Sequence, residues 1–171
     1  MSAHLSRKDN LIQLERTGPY IPPISFPGIG DIVVTDEFRR QLESSGLSGL
    51  RFQPVIKKHI AHLDWRRWDL TAKRTPEYPE GGEPENYILG RPHSPEISDQ
   101  MGDLWELLGE YKASAKEDAS GTLVLIGESW QGADFFRAEN GWRTVLVSEK
   151  AKAWLQKLAG EHIRFMEVSV V

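Results

Sequence analysis

Two stretches of the chain match each other at a fixed offset without gaps, and this internal repeat constrains the fold more than any other feature. The first runs Val33-Val34-Thr35-Asp36-Glu37-Phe38, passes Leu42 and ends Leu50-Arg51-Phe52-Gln53-Pro54-Val55. The second runs Leu146-Val147-Ser148-Glu149-Lys150-Ala151, passes Leu155 and ends Ile163-Arg164-Phe165-Met166-Glu167-Val168. Thr35 aligns with Ser148, Leu42 with Leu155, and the Arg-Phe-x-x-Val endings coincide. A chain repeated in this way is built from two copies of one supersecondary unit, although two copies do not make a solenoid.

Each copy reads as strand, helix, strand. Ile32-Val33-Val34 is a β-branched run. Thr35 and Ser148 are natural N-caps, because their hydroxyls can accept a first-turn N–H. Asp36, Glu37 and Glu149 place negative charge where the helix dipole favours it. Phe38 and Leu42 share a helix face, as do Ala151, Trp154, Leu155 and Leu158. Gly46, Gly49 and Gly160 punctuate the helix ends. Leu50-Arg51-Phe52 and Ile163-Arg164-Phe165 alternate as half-buried strands. Arg51 and Arg164 then either point to solvent, form equivalent ion pairs or contact a partner, and nothing local decides which.

Between the copies the pattern changes. Asn10 to Glu15 reads as a short first strand. Gly28-Ile29-Gly30 lacks phosphate-loop spacing and precedes a strand, so it reads as a turn. Residues 71–98 carry five prolines and three glycines and form a long polar connector, with Asn86-Tyr87-Ile88-Leu89 as its apolar anchor. Ser98 or Asp99 then caps a predicted helix with Met101, Leu104, Trp105, Leu108 and Tyr111 on one face. Asp103, Glu106 and Glu110 lie toward its other side, and Ala113 to Ala119 can extend it. Thr122 to Ile126 and Phe135 to Arg137 read as strands, and Asn140-Gly141 as a turn before Trp142 to Val147. The expected fold is α+β, a single domain over 1–171 with duplicated units at about 30–55 and 143–168. Its sheet is mixed or mostly antiparallel and packs against about three helices.

Chemistry is sparse. With no cysteine, disulfides, thiol nucleophiles and thiolate zinc sites are excluded. His59, His62 and Asp64 invite a metal-dependent hydrolase or nuclease reading, but no His-Glu-x-x-His pattern exists and a strand would turn the histidines to opposite faces. Ser129 departs from Gly-x-Ser-x-Gly, because Gln131 stands at the second glycine position. No cofactor fingerprint appears, and neither a cofactor nor a metal is expected. Charge is partitioned instead. Residues 51–75 hold seven basic and two acidic side chains, while 76–139 hold fourteen acidic and four basic ones. Such segregation steers partners of opposite charge. Trp65, Arg66 and Trp68 suit a protein interface, simple packing, or a nucleic-acid adaptor built on the basic 57–74 segment. The acidic majority argues against dedicated nucleic-acid binding. No stretch is apolar enough for a membrane span and no leader is evident, so a cytoplasmic location is expected.

The duplicated segments resemble immunity proteins of bacterial polymorphic-toxin systems, a type common in myxobacteria. The resemblance rests on Gly30-Asp31-Ile32-Val33-Val34-Thr35-Asp36-Glu37-Phe38, Leu42, and Gly46-Leu47-Ser48-Gly49-Leu50-Arg51-Phe52 with Val55. It rests also on Gly132-Ala133-Asp134-Phe135-Phe136-Arg137, Thr144-Val145-Leu146-Val147-Ser148-Glu149 and Ile163-Arg164-Phe165. It covers under half the chain, and the Cys-x-x-Cys-Gly motifs of some related families are missing. The resemblance implies a non-catalytic cytoplasmic protein that binds a cognate toxin domain, a basic one, and blocks it. On that reading the partner-binding residues are Asp99, Asp103, Glu106 and Glu110, with Trp65, Arg66 and Trp68 as aromatic and arginine anchors. No membrane or nucleic-acid partner is expected, and a homodimer stays open.

Overall fold

A computed structural model describes residues 3–69, 71–74, 85–139 and 144–171. In chain order the first elements are β1 (Ala3–Lys8), β2 (Leu11–Gly18), β3 (Ile24–Gly28), β4 (Asp31–Thr35), α1 (Asp36–Glu43), β5 (Leu50–Pro54) and β6 (Ile56–His62). Then come α2 (Asn86–Leu89), α3 (Pro95–Gln100), β7 (Leu104–Gly109), β8 (Tyr111–Ala113) and β9 (Ala115–Glu117). The last are β10 (Leu123–Leu125), β11 (Phe135–Ala138), β12 (Val145–Val147), α4 (Glu149–Ala159) and β13 (Ser169–Val170). The fold is α+β and its sheets are rich in antiparallel pairs. Among the described residues there are four α-helices, two of them under two turns long, where about three were expected. None is long and apolar enough to cross a membrane.

The chain divides into two compact units, Met1–Pro22 with Pro54–Leu104, and Pro23–Gln53 with Trp105–Val171. The first is built on the three-stranded sheet β1-β2-β6. Its hairpin turns at Asp9 and Asn10, both at positive φ, the conformation that a two-residue turn between twisted strands requires. Strand β6 lies parallel to β2, with the register running from Gln13↔Ile56 to Gly18↔His62. Ile12, Leu14, Ile60, Ile88, Ile97 and Met101 are buried in this unit. Gly18 sits where a side chain would collide with Met101 and Ile97, which explains glycine there.

The second unit contains the first copy of the repeat as expected: β4, α1 and β5 follow one another, and β4, β7 and β5 are neighbours in one sheet. Thr35 Oγ1 accepts the Phe38 N–H at 3.3 Å and Ser148 Oγ accepts the Ala151 N–H at 3.2 Å, so both proposed caps form. The two apolar stripes, Phe38 with Leu42 and Ala151 with Leu155, enter one core with Leu107 and Phe135. The second copy departs at its end. Residues 163–165 form no strand; Ile163 and Phe165 pack against the core from an irregular segment, and β13 instead pairs parallel to β10.

The helix expected from Ser98 onward is a second correction. Helix α3 begins earlier, where Ser94 Oγ caps the Ile97 N–H and Pro95 occupies the first turn, and it stops before Gly102 at φ +66°. Leu104 to Gly109 is strand β7, and residues 111–113 and 115–117 are strands as well. Leu104, Glu106, Leu107 and Gly109 are buried, so the face expected to be acidic and solvated is partly interior. The Asn140-Gly141 turn falls outside the described residues.

Candidate docking surfaces

The first surface follows from the parallel pairing of β2 and β6. Parallel neighbours leave their sheet at the same end, so the segments after Gly18 and after His62 emerge side by side. The Leu63 N–H donates to the Gly18 carbonyl at 2.8 Å and ties them together. Buried Arg16 then positions the next residues, its Nη2 donating to the Tyr20 carbonyl at 2.9 Å and its Nε to the Thr17 carbonyl at 3.0 Å. Burial strips water from this guanidinium and lowers its pKa to about 10, so it stays charged at neutral pH. Tyr20 thereby meets Trp65 edge to face at 5.5 Å, and the Arg66 guanidinium lies 4.7 Å from the Tyr20 ring centre.

A matching cluster lies in the same unit. Trp68 packs on Tyr87 of α2 at 6.0 Å, and Arg91 lies 5.7 Å from the Tyr87 ring. The 91–94 segment is held to β6 by side chains. Arg91 Nη1 donates to the His62 carbonyl at 2.6 Å, and the Ile60 N–H donates to His93 Nδ1 at 2.9 Å. His59 Nε2 is 2.9 Å from the Arg91 carbonyl, which can only accept, so that nitrogen carries the proton. Trp65 and Trp68 are half-buried and Arg66 is exposed. The anchors foreseen in the sequence therefore gather with Tyr20, Tyr87 and Arg91, which sequence reasoning missed. Sequence-distant rings of this kind carry no local signal.

The other foreseen residues scatter. Asp99 and Asp103 are exposed in the first unit; Glu110 is exposed in the second. Glu106 is only 2% exposed and accepts a hydrogen bond from Gln53 Nε2 at 2.6 Å, so it cannot meet a partner. Glu106 belongs to the interior and not to an acidic docking face. The basic run is partly consumed as well: Lys57 donates to the Ser98 and Gly102 carbonyls, and Lys58 pairs with Glu15 at 2.6 Å. That pairing holds the Glu15 carboxyl below its usual range. Asp64 is paired with Arg67 at 2.9 Å, and His62 is exposed at the end of β6. No group of three or more His, Asp or Glu side chains is placed to hold a metal among the described residues. Ser129 Oγ accepts the Ser114 N–H at 2.8 Å and donates to the Ile126 carbonyl at 2.6 Å, a structural use of the hydroxyl.

The second unit has a shallow open depression of about 500 Å3 beside α1 and β5, lined in part by Arg39, Glu43, Leu50, Arg51, Phe52 and Trp105. Arg39 lies 4.5 Å from the Trp105 ring centre and bonds Asp36 and Glu43 at 2.8 and 2.7 Å. The Trp105 Nε1–H donates to Asp36 Oδ1 at 3.0 Å. The Arg39 bond, aided by Arg40 and Trp105, lowers the Asp36 pKa despite some opposing desolvation. Arg51 makes no hydrogen bond or ion pair among the described residues and is exposed.

Elsewhere in this unit Asp134 joins the two repeats. Its carboxylate accepts from Ser148 Oγ at 2.7 Å, from the Ser48 N–H at 2.9 Å, and from Ser48 Oγ and Lys150 Nζ at 3.1 Å each. Burial alone would raise its pKa, but these donors outweigh it and hold the group at about 2. With three donors on Oδ2 and one on Oδ1, this carboxylate is a structural clasp. No protein-family model, no curated protein and no solved structure matches the chain.

Proposed function

We propose that this chain is a non-catalytic immunity protein that binds and neutralises a cognate bacterial toxin domain in the cytoplasm. The observation that carries the reading is the convergence of Trp65, Arg66 and Trp68 with Tyr20, Tyr87 and Arg91 on one unit. Tryptophan, tyrosine and arginine are the residue types that dominate binding energy at protein interfaces. Stacked as they are here, their side chains are ordered before a partner arrives, which reduces the entropy lost on docking. A nucleic-acid platform fits less well, because Arg66 lies against a Tyr20 ring face that a base would need, and Lys57 and Lys58 are already engaged. The complement on the toxin is a pocket for an aromatic edge with carboxylates opposite Arg66.

Co-expression with any toxin domain that an adjacent gene encodes tests the reading. The wild-type chain should restore growth, and R66E and W68A, at equal soluble levels, should lose that protection. Protection undiminished in both variants would reject the surface. Failure of the wild-type chain to protect would reject the function.

A further inference from the structure

We propose that the outer edge of β5, in the second unit, binds an extended acidic and apolar segment of a partner protein by strand addition. This goes beyond the immunity reading and does not depend on the Trp65 surface. Two hydrogen bonds set the geometry: the Glu110 N–H donates to the Gly49 carbonyl, and the Val55 N–H donates to the Leu104 carbonyl. Both fit one antiparallel register between β5 and β7, in which residues 49, 51, 53 and 55 turn their backbone groups toward β7. Leu50 and Phe52 then turn theirs outward. In the four-stranded sheet β3-β4-β7-β5, strand β5 is an edge, so no strand of that sheet covers those groups.

The free edge has defined ends. Before it, the Ser48 carbonyl already accepts the Phe135 N–H at 3.0 Å. After it, Pro54 has no N–H to offer. Between those limits the edge opens onto the depression whose lining includes Leu50, Phe52 and Trp105. Arg39 is neutralised there by Asp36 and Glu43, whereas Arg51 has no carboxylate among the described residues. An exposed guanidinium beside apolar and aromatic side chains, and backbone groups that no described strand pairs, are complementary to an extended segment that alternates carboxylate and aliphatic residues. Main-chain pairing would supply affinity and the Arg51 pair would supply selectivity.

The probe is a labelled, end-capped peptide of eight residues alternating valine and glutamate, read by fluorescence anisotropy. Two controls accompany it: one with lysine for every glutamate, and one with N-methylated backbone amides. The acidic peptide should bind saturably, R51E should weaken it about tenfold or more, and both control peptides should fail. Amide resonances of Leu50 and Phe52 should shift on titration. Arg51 is exposed, so R51E should fold, and circular dichroism checks this. No saturable binding up to millimolar peptide would overturn the proposal. So would equal binding by R51E, by the lysine peptide or by the N-methylated peptide.

Discussion

Replacing Asp134 with asparagine should remove a stabilisation that exists only where the carboxyl is ionised. Its pKa is about 2 in the folded chain, against about 3.9 for an unfolded aspartate. That difference corresponds to about 2–3 kcal/mol of folding free energy. Because the folded value is the lower one, the contribution is complete above about pH 5. It fades as pH falls through 4 and is gone once pH passes below about 2. Most of it belongs to the Ser48 and Ser148 donors, since the Lys150 side chain is 62% exposed and its ion pair is screened by water. Asparagine has the shape of the protonated acid, so D134N should be about 2–3 kcal/mol less stable than wild type at pH 7, and the gap should close toward pH 2. Urea unfolding followed by circular dichroism at pH 7, 5, 4 and 3 measures it, provided the slope with denaturant is the same for both proteins. A gap that stays constant across this range would refute the clasp, as would a variant of wild-type stability at pH 7.

Other substitutions test separate parts of the structure by the same unfolding measurement. G49A must hold a side chain at φ +79° against the Phe135 carbonyl, and should cost about 3 kcal/mol or more, whereas G46A, at φ +71° in open space, should cost about 1 kcal/mol. E106A removes a buried carboxylate and the bond it accepts from half-buried Gln53 Nε2, and should cost about 1–3 kcal/mol, while D99K and D103K on exposed sites should each stay within about 0.5 kcal/mol of wild type. An equal loss in all three would mean that Glu106 is as solvated as Asp99. S129A strands the Ser114 N–H and should lower stability by about 1 kcal/mol, and unaltered stability would remove its structural role.

What could be read from the sequence was local. Thr35 and Ser148 announce two helices through a hydroxyl just before an acidic first turn, and the helical stripes at Phe38 and Ala151 need no distant information. The stretch from Leu104 to Leu108 was misread because its apolar residues satisfy helical and extended spacing alike. Pairing with β5 decides it, and that pairing lies some fifty residues away in the chain, as the bond from Gln53 to Glu106 illustrates. The buried Glu106 was unforeseeable for the same reason. A usable signal was overlooked in Ser94-Pro95, a stronger helix start than Ser98, followed by Gly102 as a stop. Ile163 to Phe165 alternate like a strand, yet find no neighbouring strand among the described residues to complete a ladder. At the first surface, residue type alone singled out Trp65, Arg66 and Trp68. Tyr20, Tyr87 and Arg91 join them only through the parallel exit of β2 and β6 and the placement of α2.

Calorimetric titration of the purified chain with any toxin domain that an adjacent gene encodes, held catalytically inactive for the purpose, weighs the docking claim most directly. Wild type should bind at one to one with a submicromolar Kd. R66E and W68A, checked for native circular dichroism, should each weaken it by about thirtyfold or more, the loss expected at an interface hot spot of about 2 kcal/mol or more. Wild-type affinity in both folded variants would contradict the account.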